Sequence, residues 1–440
     1  MKRLVTSLCL TVALLFGCAG VCKANVGYLE KAEQYTVKIR TRVKYPPMED
    51  EKGSFEGAGF LIDSKRGWIA TNAHVSSRNP ESVEIAFKDK AFTDAKLIFV
   101  DQYLDLAVLK ISTKDIPKGT AAAKLNCTQW PKVGSKVGAY GHPLSLDFSV
   151  TTGIVSGLRY RHNVYSIQTD AAINSGNSGG PLIDENSGAV IGINEASYSK
   201  KTSEGLGFAV PMVHACRAFN LLEENKNPSP SYLPVAFARG DDFPNQLLVA
   251  ANFKGLPVSW PLKAGDKLVS LVNAPEIKLK NQAGLIHALR GKRGEIPVNI
   301  LRGGKEKIVK LKSLPRPKLT DWVGLHFSGV VVGNETFRDK FITNPNNEII
   351  IHDVADASIG SVSDIKAYRY ISTVDGVPIR DIKSLCNKLK ASKKKKVKFV
   401  LRSRRWDYMA ASKYSIHNLE IKNLKLVGPQ ITETTKCHAD

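Results

Sequence analysis

Between about Val37 and Ala209, apolar and β-branched residues come in short runs and not at helical spacing. The runs lie at 60–62, 67–71, 83–87, 106–111, 137–140, 150–155, 164–167 and 189–193, each punctuated by Gly, Asn, Asp or Pro. Short runs at such close spacing predict an antiparallel barrel or sandwich. The pattern then changes. Residues 211–224 read as a helix, and 225–230 (Asn-Lys-Asn-Pro-Ser-Pro) as a polar, proline-bearing linker. Residues 231–315 read as an α+β module, with a helix over about 281–289 and strands at 296–301 and 308–311. Residues 320–428 repeat that plan: 367–375 lead to Gly376-Val377-Pro378, then a helix over 382–389 and a strand at 397–401, before a tail at 429–440.

The first 24 residues stand apart. Met1-Lys2-Arg3 is basic, the run from Leu4 to Phe16 is mostly apolar, and Cys22-Lys23-Ala24 precedes a candidate cleavage point. This is the layout of a secretory signal peptide, and the run is too short to span a bilayer. A second reading is a lipoprotein signal, with Leu15-Phe16-Gly17-Cys18 as lipobox and Cys18 as the lipidated residue. The expected location is therefore the periplasm or the exterior, with lipid tethering at Cys18 as the variant. The formal charge of the whole chain is +22, and the leader takes away Lys2, Arg3 and Lys23 with no acid. Such an excess favours anionic partners, a membrane surface among them. Cys127, Cys216, Cys386 and Cys437 remain after the leader, far apart and without a CxxC pair. A secreted chain permits disulfides, but these spacings force none. His and Cys never fall at zinc-ligand spacing, so no metal is expected.

The chemistry concentrates in Asn174-Ser175-Gly176-Asn177-Ser178-Gly179-Gly180-Pro181-Leu182. Small residues around Ser178 let the backbone turn sharply and can aim N–H groups at one spot, as an oxyanion hole requires. A serine hydroxyl needs a base, and the base needs a carboxylate to orient it. Upstream stand His74 in Thr71-Asn72-Ala73-His74-Val75 and Asp105 in Asp105-Leu106-Ala107-Val108-Leu109. Taken singly, each has an ordinary structural explanation; their order and context give them weight together. The other histidines, at 142, 162, 214, 287, 326, 352, 417 and 438, lack such context and read as structural or exposed.

These blocks resemble the HtrA (Deg) serine proteases. Gly57-Ala58-Gly59-Phe60, Thr71–Val75, Asp105–Lys110, Gly153-Ile154-Val155-Ser156, Thr169-Asp170-Ala171-Ala172-Ile173-Asn174, Gly176–Leu182 and Gly205–Pro211 follow the family's order. The resemblance is strong over 50–212 and weak over 231–428. It implies an all-β chymotrypsin-like protease domain of two six-stranded barrels over 25–224, then two α+β PDZ-like domains. It implies His74, Asp105 and Ser178 as catalytic triad, Gly176 and Ser178 as oxyanion-hole donors, and no cofactor. The substrate pocket would involve Ile173, Asn174, Gly192, Ile193 and Asn194, with cleavage after small aliphatic residues. Ser175 stands where the family often has proline, which fits a turn ordered only on activation. In the second PDZ-like domain Val323, Gly324 and Leu325 fit a peptide-carboxylate loop; in the first, Pro234 removes an N–H from that position. Expected partners are unfolded or misfolded proteins, activating peptides and further copies of the chain, as a trimer or multiple.

Lys393-Lys394-Lys395-Lys396, with Lys398, Arg402, Arg404, Arg405 and Trp406, is strongly basic. In a secreted chain it reads as a solvated turn or an anionic-surface contact, with no specific nucleic acid expected. Two other function classes stand beside the protease: a chaperone-like holding protein with an idle site, and a scaffold for anionic surfaces.

Overall fold

A computed structural model describes residues 27–47, 50–142, 148–161, 163–195, 205–238, 245–253, 256–334, 348–403 and 413–431. The expected leader with Cys18, the polar loop 197–204, Arg404, Arg405 and Trp406, and the tail beyond 431 lie outside the described residues. No helix among the described residues is long and apolar enough to cross a membrane.

The first β-unit is an antiparallel sheet of seven strands. In spatial order they are Thr93–Asp94, Ser82–Phe87, Thr36–Val43, Gly53–Asp63, Trp68–Thr71, Leu106–Lys110 and Lys96–Asp101. The resemblance implies a closed six-stranded barrel here. One strand of it is interrupted: Thr93–Asp94 and Lys96–Asp101, at opposite edges of the sheet, are consecutive with only Ala95 between them, so the sheet curls round on itself. Thr36–Val43 shows the period-two logic of a strand. Val37, Ile39, Thr41 and Val43 are buried, while Arg40 and Arg42 face water. The second unit is a closed six-stranded barrel. Around it run Val164–Thr169, Gly207–Pro211, Val190–Glu195, Pro181–Asp184, Lys136–Gly141 and Ser149–Arg161.

A helix, Met212–Glu223, leaves the second barrel. A disulfide joins its Cys216 to Cys127, with Cα atoms 5.5 Å apart and a sequence separation of 89. The polar segment that follows is a strap rather than a free tether. Pro228 and Ser229 are buried. Asn227 Nδ2 donates to the Arg316 carbonyl at 2.8 Å, and the Arg316 N–H donates to the Pro230 carbonyl at 2.9 Å.

The first C-terminal module is a six-stranded sheet with the helix Gln282–Leu289. Asn281 caps that helix by accepting from the Gly284 N–H, as a residue of this type does at such a position. The second module is an eight-stranded sheet with the helix Ile382–Ala391. Asp381 and Ser384 close a capping box at its start. The helix Gly27–Tyr35 and the strand Lys425–Val427 have no counterpart in the hydrophobic pattern.

The first module and the protease unit share one continuous core, from Val37 in the first sheet through Phe219 to Leu311. At the junction Asp101 and Arg290 form an ion pair at 2.6 Å, both 1% exposed. Arg290 also donates to the Pro228 carbonyl, and Arg217 donates to the Arg290 carbonyl at 3.1 Å. Beside them His214 and His287 stack, ring centroids 4.4 Å apart, edged by Trp130 and Tyr165. A buried pair like Asp101–Arg290 adds little net stability, yet removing one partner costs about 3–5 kcal/mol. It therefore fixes how the module sits. The second module keeps a separate core, built on Leu325, Phe327, Leu385 and Phe399.

Candidate active site

His74 lies on a single helical turn, Ala73–Ser76, just after the strand Trp68–Thr71. Asp105 immediately precedes the strand Leu106–Lys110, with φ at +51°. Those two strands pair, Thr71 opposite Ala107, so sheet register alone brings the two residues to one end. The result is a two-point attachment. His74 Nδ1 lies 2.7 Å from Asp105 Oδ2, and the His74 N–H donates to Asp105 Oδ1 at 3.0 Å. Asn72 Nδ2 holds the Asp105 carbonyl at 2.9 Å. The hydrogen bond at Nδ1 leaves Nε2 as the ring nitrogen not held by the carboxylate. Partial loss of hydration opposes protonation of the ring, but the charge of Asp105 and its hydrogen bond outweigh that and raise the His74 pKa above the usual histidine value. Glu195 and Asp50 add to the rise.

Ser178 comes from the second barrel, 6% exposed, in the turn before the strand Pro181–Asp184. The Ala58 N–H, from the first sheet, donates to the Ser178 carbonyl at 2.8 Å. Thr71 Oγ1 in turn donates to the Ala58 carbonyl at 2.7 Å. Gly179 shows why the loop is built of small residues. Its φ is +86°, and a Cβ there would sit 2.1 Å from the Ala58 carbonyl oxygen and 2.2 Å from Thr71 Oγ1. No other residue type fits that approach. The helix of His74 reaches the same point, because a Cβ on Gly57 would lie 2.7 Å from Val75 Cγ1 and 3.2 Å from the Ser178 carbonyl oxygen.

The turn is pinned by Asn177 N–H to the Asn174 carbonyl at 3.0 Å and Gly180 N–H to the Asn177 carbonyl at 3.0 Å. The Gly176 carbonyl accepts from the His142 N–H at 3.1 Å. Among the described residues, neither the Gly176 N–H nor the Ser178 N–H donates to a protein acceptor. Among them, too, no hydrogen bond joins Ser178 Oγ to His74. The structure thus closes the Asp–His half of the constellation and leaves the His–Ser half open. In unliganded enzymes such contacts often tighten only with substrate in place.

The residues expected around the substrate pocket divide. Asn174 is half-buried at the turn. Ile173 is 4% exposed and packs with Val155, Ile167 and Ala209 in the second barrel's core. Ile193 is fully buried in the main core, so its side chain is not offered to a substrate. Asn194 Nδ2 donates to the Pro181 carbonyl at 3.2 Å, and the Asn194 carbonyl accepts from the Gly179 N–H at 2.9 Å. The strand that carries Gly192 to Asn194 therefore supports the serine loop directly. In the second module Gly324 and Leu325 lie on the strand Gly324–Phe327, just past Val323. That strand pairs with Val330–Asn334 on one side and with the chain's own Lys425–Val427 on the other. Sequence reasoning missed Asn72, Ala58 and Asp50. Asp50 is paired to Arg78 at 2.6 Å and anchors the segment just past His74. Asn72 and Ala58 lie inside the quoted blocks, but their work is done by long-range contacts.

Two antiparallel β-units with His, Asp and Ser loops at their junction define the chymotrypsin-like class of peptidase folds. Residues 57–193 match the family described as trypsin-like peptidase domain. The chain is 34% identical over 306 residues to "Protease Do-like 1, chloroplastic" of Arabidopsis thaliana, covering 61% of this chain and 65% of that protein. It is 37% identical over 284 residues to "Probable periplasmic serine endoprotease DegP-like" of Pseudomonas savastanoi pv. phaseolicola, covering 61% and 55%. Among solved structures it is similar to "HtrA-type protease AlgW with tripeptide", with TM-score 0.55, 26% identity, 67% of this chain and 97% of that one. The serine endoprotease from Yersinia pestis is similar as well, with TM-score 0.50, 27% identity, 67% and 98%. Together these matches support a serine protease of the HtrA/Deg type. It spans between about half and two thirds of the length of the curated relatives it matches.

Proposed function

We propose that this protein is a serine endopeptidase that cuts unfolded or mislocalised proteins in the periplasm or outside the cell. The observation that carries the reading is the His74 Nδ1–Asp105 Oδ2 bond at 2.7 Å, facing a serine loop tied to both β-units. In this mechanism His74 Nε2 takes the Ser178 proton as Oγ attacks a peptide carbonyl, and then gives it to the leaving amine. Asp105 holds the tautomer and stabilises the imidazolium. The N–H groups of Gly176 and Ser178 receive the oxyanion, at about 3 kcal/mol per donor. The peptidase domain match and the names of the relatives support this chemistry.

The finer parts rest on the resemblance. Cleavage follows small aliphatic residues, the chain assembles as a trimer or a multiple of one, and the signal peptide directs export. The second module takes peptide C-termini by strand addition at Val323, Gly324 and Leu325. The open His–Ser contact favours one companion reading, a holding protein whose site stays idle until an activator orders it.

The test is incubation of the purified protein and its Ser178→Ala form with reduced casein. Cleavage by the first alone supports the proposal, and a product map dominated by basic residues before the cut would refute the pocket assignment. Cleavage by both would refute Ser178 as nucleophile.

A further inference from the structure

The strand Lys425–Val427 occupies the place where strand addition would put a captured peptide. It runs antiparallel to Gly324–Phe327, with Gly324 opposite Val427, Leu325 opposite Leu426 and His326 opposite Lys425. The helix Ile382–Ala391 packs against that same Gly324–Phe327 strand, the helix-and-strand pairing that a strand-addition site requires. Leu424 and Leu426, on one face of the added strand, pack against the module's core, where Leu325, Leu385 and Leu389 lie. Alternation turns Lys425 to the opposite face. There its Nζ sits 4.7 Å above the ring of Tyr45, a protease-domain residue whose ring also meets His326 at 4.7 Å. The lead-in is anchored too: the Ser328 N–H donates to the Lys422 carbonyl at 2.7 Å, and Ser328 Oγ donates to the Glu420 carbonyl at 2.6 Å.

A captured peptide ends at such a site, whereas this segment must continue. Gly428 lets it do so. A Cβ at Gly428 would lie 2.3 Å from the Trp322 carbonyl oxygen, at the loop just before Val323 and Gly324. Only a bare backbone passes that point.

We propose that residues 424–427 are a built-in ligand of the second module, and that peptides with aliphatic residues at alternate positions near a free C-terminus exchange with it. This rests on reading the module as a peptide-binding domain. Release of the segment also takes Lys425 off Tyr45, so peptide capture removes one contact between the module and the protease domain and leaves the Tyr45–His326 contact in place. A tethered ligand faces its site at a millimolar effective concentration, so free peptide is held off until it is abundant or the segment is weakened.

The test uses full-length Ser178→Ala protein and a fluorescent peptide with the sequence of residues 418–427 and a free C-terminus. With Gly428→Val added, the peptide is expected to bind about tenfold or more tightly than without it. Equal binding to both proteins would overturn self-occupation while leaving the module a peptide binder. Binding to neither would overturn the peptide-binding reading itself. A second measurement needs no change in the module: hydrogen exchange of the Ser178→Ala protein with saturating peptide. Expected is faster exchange at 423–427 with 324–327 still protected; unchanged exchange at 423–427 would overturn the proposal.

Discussion

Acid is expected to weaken the junction between the protease unit and the first module through His214 and His287. Burial is the largest cause of their lowered basicity. For His214, the charges of His287 and Arg290 add to it; for His287, those of Arg290 and Arg217. Asp101, paired with Arg290, is the acid at this contact, and the remaining neighbours are the aromatic rings of Trp130 and Tyr165. His214 is held at about 3 and His287 at about 4. In the unfolded chain both return to about 6.5. Because the folded values are depressed, the rings cost nothing well above pH 6.5, and stability falls as the pH drops below it. The fall ends only when the folded rings themselves charge, near pH 4 and below. At pH 5 each unfolded ring is about 1.5 units below its pKa, worth about 2 kcal/mol, or about 4 kcal/mol for the pair. Urea unfolding of the Ser178→Ala protein at pH 7.5 and pH 5 measures this. The double variant His214→Phe/His287→Phe keeps an aromatic stack without the proton sites and is expected to lose most of that difference. If parent and variant lose stability in parallel, the reasoning about these rings is wrong.

Asp105→Asn is expected to lower kcat by about 10⁴-fold, since the amide favours the wrong His74 tautomer. Whatever activity remains should extend to lower pH than in the parent, because the carboxylate that raises the His74 pKa is gone; a pH–rate profile that stays in place would count against Asp105 as the partner. Cys127→Ser/Cys216→Ser opens an 89-residue loop and is expected to cost about 4–5 kcal/mol in urea unfolding. A loss below about 1 kcal/mol would show that the helix Met212–Glu223 is held by its packing alone.

What the sequence shows depends on how local each signal is. The serine loop is legible because its small residues answer to contacts within a few positions and to one close approach at Gly179. The helices at 282–289 and 382–391 fall where the sequence places helices over about 281–289 and 382–389, and the structure adds Asn281 and Asp381 as their caps. The Cys127–Cys216 bond is not legible, since spacing alone leaves every pairing of the cysteines open. Nor is the Asp101–Arg290 pair, which joins the end of a strand of the first sheet to the C-cap of the helix Gln282–Leu289 and forms only after both have folded. The strap at 225–230 misleads in the other direction. Its polar, proline-bearing composition is that of a tether, but Asn227 and Pro228 are consumed by contacts with Arg316 and Arg290. The strand Lys425–Val427 is too short to register as a pattern, and its pairing partner lies about a hundred residues earlier.

The two cores set different terms for exchange of parts between proteins. The second module closes its own core around Leu325, Phe327 and Phe399, so a lineage or an engineer can replace it and leave the rest intact. The first module cannot be traded in the same way. Its Leu247, Leu268 and Leu311 complete the same apolar mass as Phe219 and Leu109 of the protease unit. A transplanted first module would have to bring a matching protease surface with it. Inheritance should therefore treat the protease unit and the first module as one piece, and the second module as an accessory.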